Sequence, residues 1–152
     1  LVGRSLDLPR ADLSASLGVS VGDAGDSVSG IGQLDYVQPL PRGRLSVSAR
    51  QSVSTDDGDD ELFTSASLGY SHEISRLSSV ALSLGVSATE SLEDDGTDRQ
   101  RVSASVSWSR QLTADWSFNM GYRHNTQRET DEDPITENAV FANFGRSFNI
   151  RP

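Results

Sequence analysis

The 152-residue chain contains no cysteine and no lysine. Without cysteine there is no disulfide framework, no thiolate chemistry and no thiolate metal site. All 13 basic residues are arginine, set against 22 acidic ones, for a net charge of −9 and a pI near 4.5. That balance argues against nucleic acid as a partner. No run approaches 18 apolar residues, so a membrane-crossing helix is excluded. Apolar residues make up only 35%, little for a water-soluble domain. The chain opens on Leu1-Val2, with neither Met nor the apolar core of a signal peptide. It is expected to be a mature, processed protein or an excised piece, and its length fits one domain.

What is present is serine, at 25 positions. In RVSASVSWSR, Arg101 to Arg110, serine takes every second position four times running, with Val102, Ala104, Val106 and Trp108 between. Period two belongs to a β-strand, whose side chains point alternately to opposite faces; a helix would smear both sets around its axis. The same alternation runs through 11–22, 44–53, 65–74, 79–88, 116–123 and 140–148. A weaker eighth segment covers 28–40, with Leu34 and Tyr36 on the apolar side. There Gly30-Ile31-Gly32 interrupts the pattern, and a bulge is expected. The count is eight strands of about 9–12 residues, the length of a tilted membrane-crossing strand.

The connections also alternate. PLPRG (39–43), SRLS (75–78) and LTAD (112–115) are tight; GDAGDS (22–27), TDDGDDE (55–61), LEDDGTDRQ (92–100) and TQRETDEDPITEN (126–138) are longer and acidic. Consecutive antiparallel strands put the two classes at opposite ends. One rim is therefore anionic, through Asp56, Asp57, Asp59, Asp60, Glu61, Glu93, Asp94, Asp95, Asp131, Glu132 and Asp133. Arg42, Arg76, Arg110, Arg146 and Arg151 gather at the other end.

Two arrangements suit such strands. In a soluble sandwich or barrel the apolar face is the core; in an outer-membrane barrel it meets lipid, and the small polar face lines the lumen. Soluble β-proteins protect water-facing strands with lysine and glutamate. Here that face is mostly Ser and Gly, which suits a confined interior. Tyr36, Tyr70, Trp108, Trp116 and Phe148 share the apolar face near the tight-turn end, as an interfacial aromatic belt would. On the serine face, Asp12, Asp35, Arg50, Glu73, Arg101 and Arg123 are the expected lumen charges, able to form carboxylate–guanidinium pairs across a narrow lumen.

The pattern resembles bacterial outer-membrane β-barrels, above all the small eight-stranded OmpA/OmpX type, and its last part is also similar to the end of larger porin-like barrels. AVFANFGRSF, 139 to 148, resembles the closing strand that these proteins use as an assembly signal. It departs in that Asn149-Ile150-Arg151-Pro152 follow Phe148, where the family usually ends on an aromatic residue. The resemblance implies an all-β, transmembrane, up-and-down antiparallel barrel in a Gram-negative envelope, with a periplasmic arm over 1–10, the barrel over 11–148 and a tail over 149–152. It implies both termini in the periplasm and the long loops outside the cell. Outer-membrane lipid and lipopolysaccharide would be its surroundings.

Some small barrels edit lipid A, and one deacylase family uses a His-x-Ser pair plus a glutamate. His124-Asn125-Thr126 with Glu137 is similar in spacing, but a β-branched nucleophile is more hindered. His72 and His124 read equally well as interfacial histidines. The expected function is therefore non-enzymatic: a narrow channel or structural barrel with an anionic extracellular mouth and no cofactor beyond loosely bound Ca²⁺ or Mg²⁺ at the acidic loops. The alternative is an interaction protein whose loops or lumen hold a partner in an envelope or exopolysaccharide-export complex.

Overall fold

The computed structural model describes residues 2–8, 10–21, 28–56, 59–91, 98–130 and 132–147. They form nine strands: β1 (Val2–Leu8), β2 (Ala11–Val21), β3 (Val28–Leu40), β4 (Gly43–Asp56), β5 (Asp59–Ser75), β6 (Ser78–Ser91), β7 (Arg99–Gln111), β8 (Trp116–Glu129) and β9 (Ile135–Arg146). Each strand pairs antiparallel with the next, giving one sheet in chain order. There is no helix among the described residues.

The register sorts the side chains. Cross-strand partners in an antiparallel ladder share a face. One row reads Leu6, Leu13, Tyr36, Val47, Leu68, Leu84, Ala104, His124, Asn138. The adjacent row, on the opposite face, reads Ser5, Ser14, Asp35, Ser48, Ser67, Gly85, Ser103, Asn125, Glu137. The sequence alternation thus becomes a sheet with a mostly apolar face and a mostly small, polar one.

Neither face is covered. Among the described residues the only buried hydrophobic side chain is Ala11. Leu17, Leu82, Leu84, Val86, Val102, Val106 and Met120, all on the apolar face, stand exposed. The accessible surface is 11340 Å², whereas a compact 16.4 kDa monomer would expose about 7500 Å². Globular domains bury an apolar face against a second layer; this sheet is a single layer.

Four expectations are corrected. The strand count is nine rather than eight, because Val2–Leu8 is not a free arm but pairs with β2 along its whole length. With an odd count of alternating strands, the chain enters at the long-loop end and leaves β9 at the tight-turn end, so the described termini are not on the same side. The acidic connections are shorter than expected: β4 and β5 stay paired out to Asp56↔Asp59, and β8 and β9 from Gln127↔Ile135 inward. Ladder hydrogen bonds belong to the backbone, so charged side chains at a rim do not end them. No bulge forms at Gly30–Gly32, where pairing with Val19, Gly18 and Leu17 is unbroken. A side chain at Gly32 would meet a Leu17 methyl at 3.0 Å, so the glycine gives Leu17 room in register. The register shift falls instead between Glu73 and Ser75.

Pro39 is tolerated because the last β2–β3 pair is Asp12↔Val37, which leaves its missing N–H outside the ladder. The sheet ends at β1 and β9, and no ladder joins these two strands among the described residues. Closure into a barrel is not seen.

The tight turns carry a regular stagger. They follow the pairs Leu8↔Ala11, Leu40↔Gly43, Ser75↔Ser78 and Gln111↔Ser117. Traced along the rows, each turn lies about two residues further toward its end than the one two strands before. That is about one residue, or roughly 3.3 Å of rise, for each strand spacing of about 4.8 Å. Setting the four turns in one plane makes the strands lean by about 35°, at the lower edge of the tilt of closed barrels.

Candidate functional site

The serine face is a low mosaic of hydroxyls and glycines. Cross-strand hydroxyl pairs lie at 2.7 Å for Ser48–Ser67, Ser79–Ser109 and Ser83–Ser105. Glycines sit opposite serines: a Cβ at Gly69 would come within 2.7 Å of the Ser46 hydroxyl, and one at Gly85 within 2.9 Å of that of Ser103. Those serines donate instead to the Gly69 and Gly85 carbonyls, each at 3.4 Å. Each paired hydroxyl keeps lone-pair capacity for water or a polar solute.

All six expected lumen charges fall on this face by register. Asp12, Asp35, Arg50, Glu73, Arg101 and Arg123 do not pair with one another, however. Asp35 accepts from the Gln33 amide at 2.6 Å, and Arg101 Nη2 donates to Gln127 Oε1 at 2.8 Å. Partners across a lumen cannot meet in a sheet that does not close. Among the described residues the ion pair on this face is Arg99–Glu129 at 2.8 Å, which spacing alone does not single out. Gln127 Nε2 also donates to Glu129 Oε1 at 2.7 Å, so Arg101, Gln127, Glu129 and Arg99 form one chain at the loop end. Gln127 first, then Arg99, hold the Glu129 carboxyl below its ordinary value. A partner search based on sequence spacing misses this set, because 99 and 129 meet only once the β7–β8 register is known.

Of the anionic rim, Asp57, Glu93, Asp94, Asp95 and Asp131 lie outside the described residues. Asp56, Asp59 and Asp60 stand on the last rungs of the β4–β5 ladder. Glu61 is half-buried in β5, and Glu132 and Asp133 are exposed beside β9. No group of three or more acidic or histidine side chains among the described residues is placed to share a metal ion.

The expected belt residues Tyr36, Tyr70, Trp108 and Trp116 share the apolar face; Phe148 lies outside the described residues. With the stagger taken into account, Tyr36, Tyr70 and Trp108 each stand four residues before the matching turn positions Leu40, Ile74 and Leu112. Trp116 stands at the turn itself. Trp108 Nε1 donates to Ser78 Oγ at 2.7 Å, so its polar edge points toward the turns. Trp108 meets Phe118 edge-on at 6.0 Å, Phe118 lies 4.7 Å from Phe144, and Arg146 lies over Trp116 at 5.4 Å. The aromatic cluster thus runs out to the β9 edge. The Tyr70 ring stacks on His72 at 6.2 Å.

His124 lies toward the loop end of the apolar face. Asn138 Oδ1 accepts the Tyr122 hydroxyl at 2.6 Å and is 2.8 Å from His124 Nδ1. An oxygen acceptor there requires the proton on Nδ1, which leaves Nε2 to accept the Thr126 hydroxyl at 3.1 Å. Thr126 is also 3.3 Å from the Thr136 hydroxyl. Glu137, expected beside this pair from spacing, points to the other face, opposite Asn125. The arrangement is a closed polar chain that supplies each group with a partner on an otherwise apolar surface. Its key member, Asn138, was missed because its place opposite His124 depends on how many residues the β8–β9 loop consumes.

No family model matches the chain, and neither does any curated protein or solved structure.

Proposed function

We propose that this sheet is wall of an outer-membrane β-barrel, with the apolar face toward lipid, the serine face toward an aqueous lumen and no enzymatic role. The observation that carries this reading is the absence of a core among the described residues. Nine paired strands with one buried hydrophobic side chain among the described residues cannot be held in water by the burial that stabilises globular domains. A bilayer supplies the missing apolar partner, while the ladder satisfies the strand backbone without water. The regular stagger of the tight turns and the aromatic level near them support it further. On this reading the acidic loops form an extracellular mouth that concentrates Ca²⁺ or Mg²⁺ next to lipopolysaccharide phosphates, and the hydroxyl-lined lumen passes or holds water and small polar solutes.

Trp108 and Trp116 provide the test, since both lie on the apolar face near the turns. The chain is to be refolded from urea into phospholipid vesicles, with ordinary or brominated acyl chains. Expected are strand-rich circular dichroism, flotation with the vesicles, and tryptophan emission quenched by bromine but little by aqueous iodide. Iodide quenching without bromine quenching would overturn the membrane reading.

A further inference from the structure

We propose that the serine face carries a binding site for a small tetrahedral oxyanion, phosphate or a phosphate monoester, held between Arg50 and Arg101. The inference deepens the reading above and rests on it in one respect, that the serine face meets water.

The ladder brings the groups together. Across β4 to β7 one rung of this face reads Arg50, Ser65, Ser87, Arg101, and the next rung toward the turns reads Ser48, Ser67, Gly85, Ser103. Arg101 and the serines of both rungs line a hollow of about 210 Å³, where Gly85 leaves room that a side chain would fill. Sites for drug-sized ligands take about 300–1,000 Å³, so the occupant is smaller than that. Ser48 and Ser67 bond each other, and Ser103 donates to the Gly85 carbonyl. The Ser65 and Ser87 hydroxyls have no partner among the described residues and remain able to donate into the hollow.

Charge decides what fits. On the rung toward the loops Arg99 is neutralised by Glu129. Arg101 donates instead to the neutral Gln127 amide, and Arg50 forms no ion pair among the described residues. The Asp35 carboxylate, diagonal to Arg50 in the β3–β4 ladder, accepts from Gln33 on the far side of β4 from the hollow. Both arginines are exposed. Their Cα positions lie three strand spacings apart, about 14 Å, and each side chain can lean across nearly half of that. One anion can therefore bridge them above the Ser65 and Ser87 hydroxyls. A carboxylate's two oxygens are used up by one guanidinium fork, whereas a tetrahedral oxyanion keeps oxygens for the second fork and the hydroxyls. On β5 the acidic Glu61 stands four residues beyond Ser65, about 13 Å along the strand. That exceeds the screening length of about 8 Å at physiological salt, so the acidic rim does not cancel the site.

The test titrates inorganic phosphate, at constant ionic strength, into the full chain refolded in detergent micelles and shown to be strand-rich by circular dichroism. Backbone amide and arginine Nε–H resonances are followed. Expected are saturable shifts at Ser65, Ser87 and the Arg50 and Arg101 side chains, with no saturable response to acetate. Arg50→Gln and Arg101→Gln should each weaken phosphate binding by at least about tenfold. Arg101→Lys, which keeps the charge and loses the fork, should weaken it less than Arg101→Gln. Arg44→Gln, on the same face nearer the turns, should leave it unchanged. No saturable response in the strand-rich chain, an equal response to acetate, or an affinity unchanged by both glutamine variants would overturn the site. Tryptophan quenching of the same chain in vesicles separates the two readings. Absent phosphate shifts with bromine quenching intact would overturn the site alone, and phosphate shifts with iodide but no bromine quenching would overturn the membrane reading alone.

Discussion

Gly43 and Gly30 lie in neighbouring strands but in different circumstances. A Cβ at Gly43 would collide with the Ser71 carbonyl, a backbone atom that cannot move aside, whereas one at Gly30 would meet nothing within 4 Å. Gly43→Ala should therefore cost more than about 2 kcal/mol, and Gly30→Ala should stay within about 0.5 kcal/mol; urea unfolding from vesicles compares them. On the two faces, Leu84→Arg in the apolar row should cost about 2–4 kcal/mol in a bilayer. Gly85→Ser should cost much less, because it meets only the rotatable Ser103 hydroxyl. Equal costs would mean that the two faces share one environment. Which residues share a face was legible in the sequence, since strand period is fixed. Which residues touch was not. Arg99 meets Glu129 and His124 meets Asn138 through registers that depend on how many residues each loop takes out of the ladder.

At the scale of elements, the tight connections make specific predictions. The Thr113 hydroxyl accepts from the Asp115 and Trp116 N–H groups at 3.4 and 3.2 Å, and Leu112 N–H donates to the Trp116 carbonyl at 2.9 Å. Thr113→Ala leaves two donors to water and should cost about 1 kcal/mol, while Thr113→Ser should restore it in the same unfolding assay. Under the proposed orientation, protease added to intact cells should cut within 130–134 and spare Arg42; cleavage confined to the turns would reverse the orientation. Seven of the nine strands were legible because each carries at least three successive alternating apolar residues, and β3 more weakly through Leu34 and Tyr36. β1 was missed because Arg4 interrupts an already short Val2-Leu6-Leu8 series, and Pro9 follows it directly. The paired ends of β4 and β5 were missed for another reason. Acidic composition signals solvent exposure, and an exposed hairpin tip can still be a ladder.

At the scale of the whole molecule, the central claim is that one sheet separates two solvents, an apolar one on the Leu84 side and an aqueous one on the Ser83 side. Among the described residues no internal core conceals either face. β6 is the strand on which to ask it, because it lies in the middle of the sheet and pairs without a break to β7 from Ser78 to Thr89. The native chain has no cysteine, so single cysteines at 80 to 87 can each carry a spin label without background. In vesicles, accessibility to oxygen, which concentrates in lipid, is compared with accessibility to a water-soluble nickel chelate. A period of two is expected: high oxygen accessibility at 80, 82, 84 and 86, and the chelate favoured or both reagents excluded at 81, 83, 85 and 87. The inverse pattern, or the chelate reaching Leu84→Cys as readily as Ser83→Cys, would contradict it.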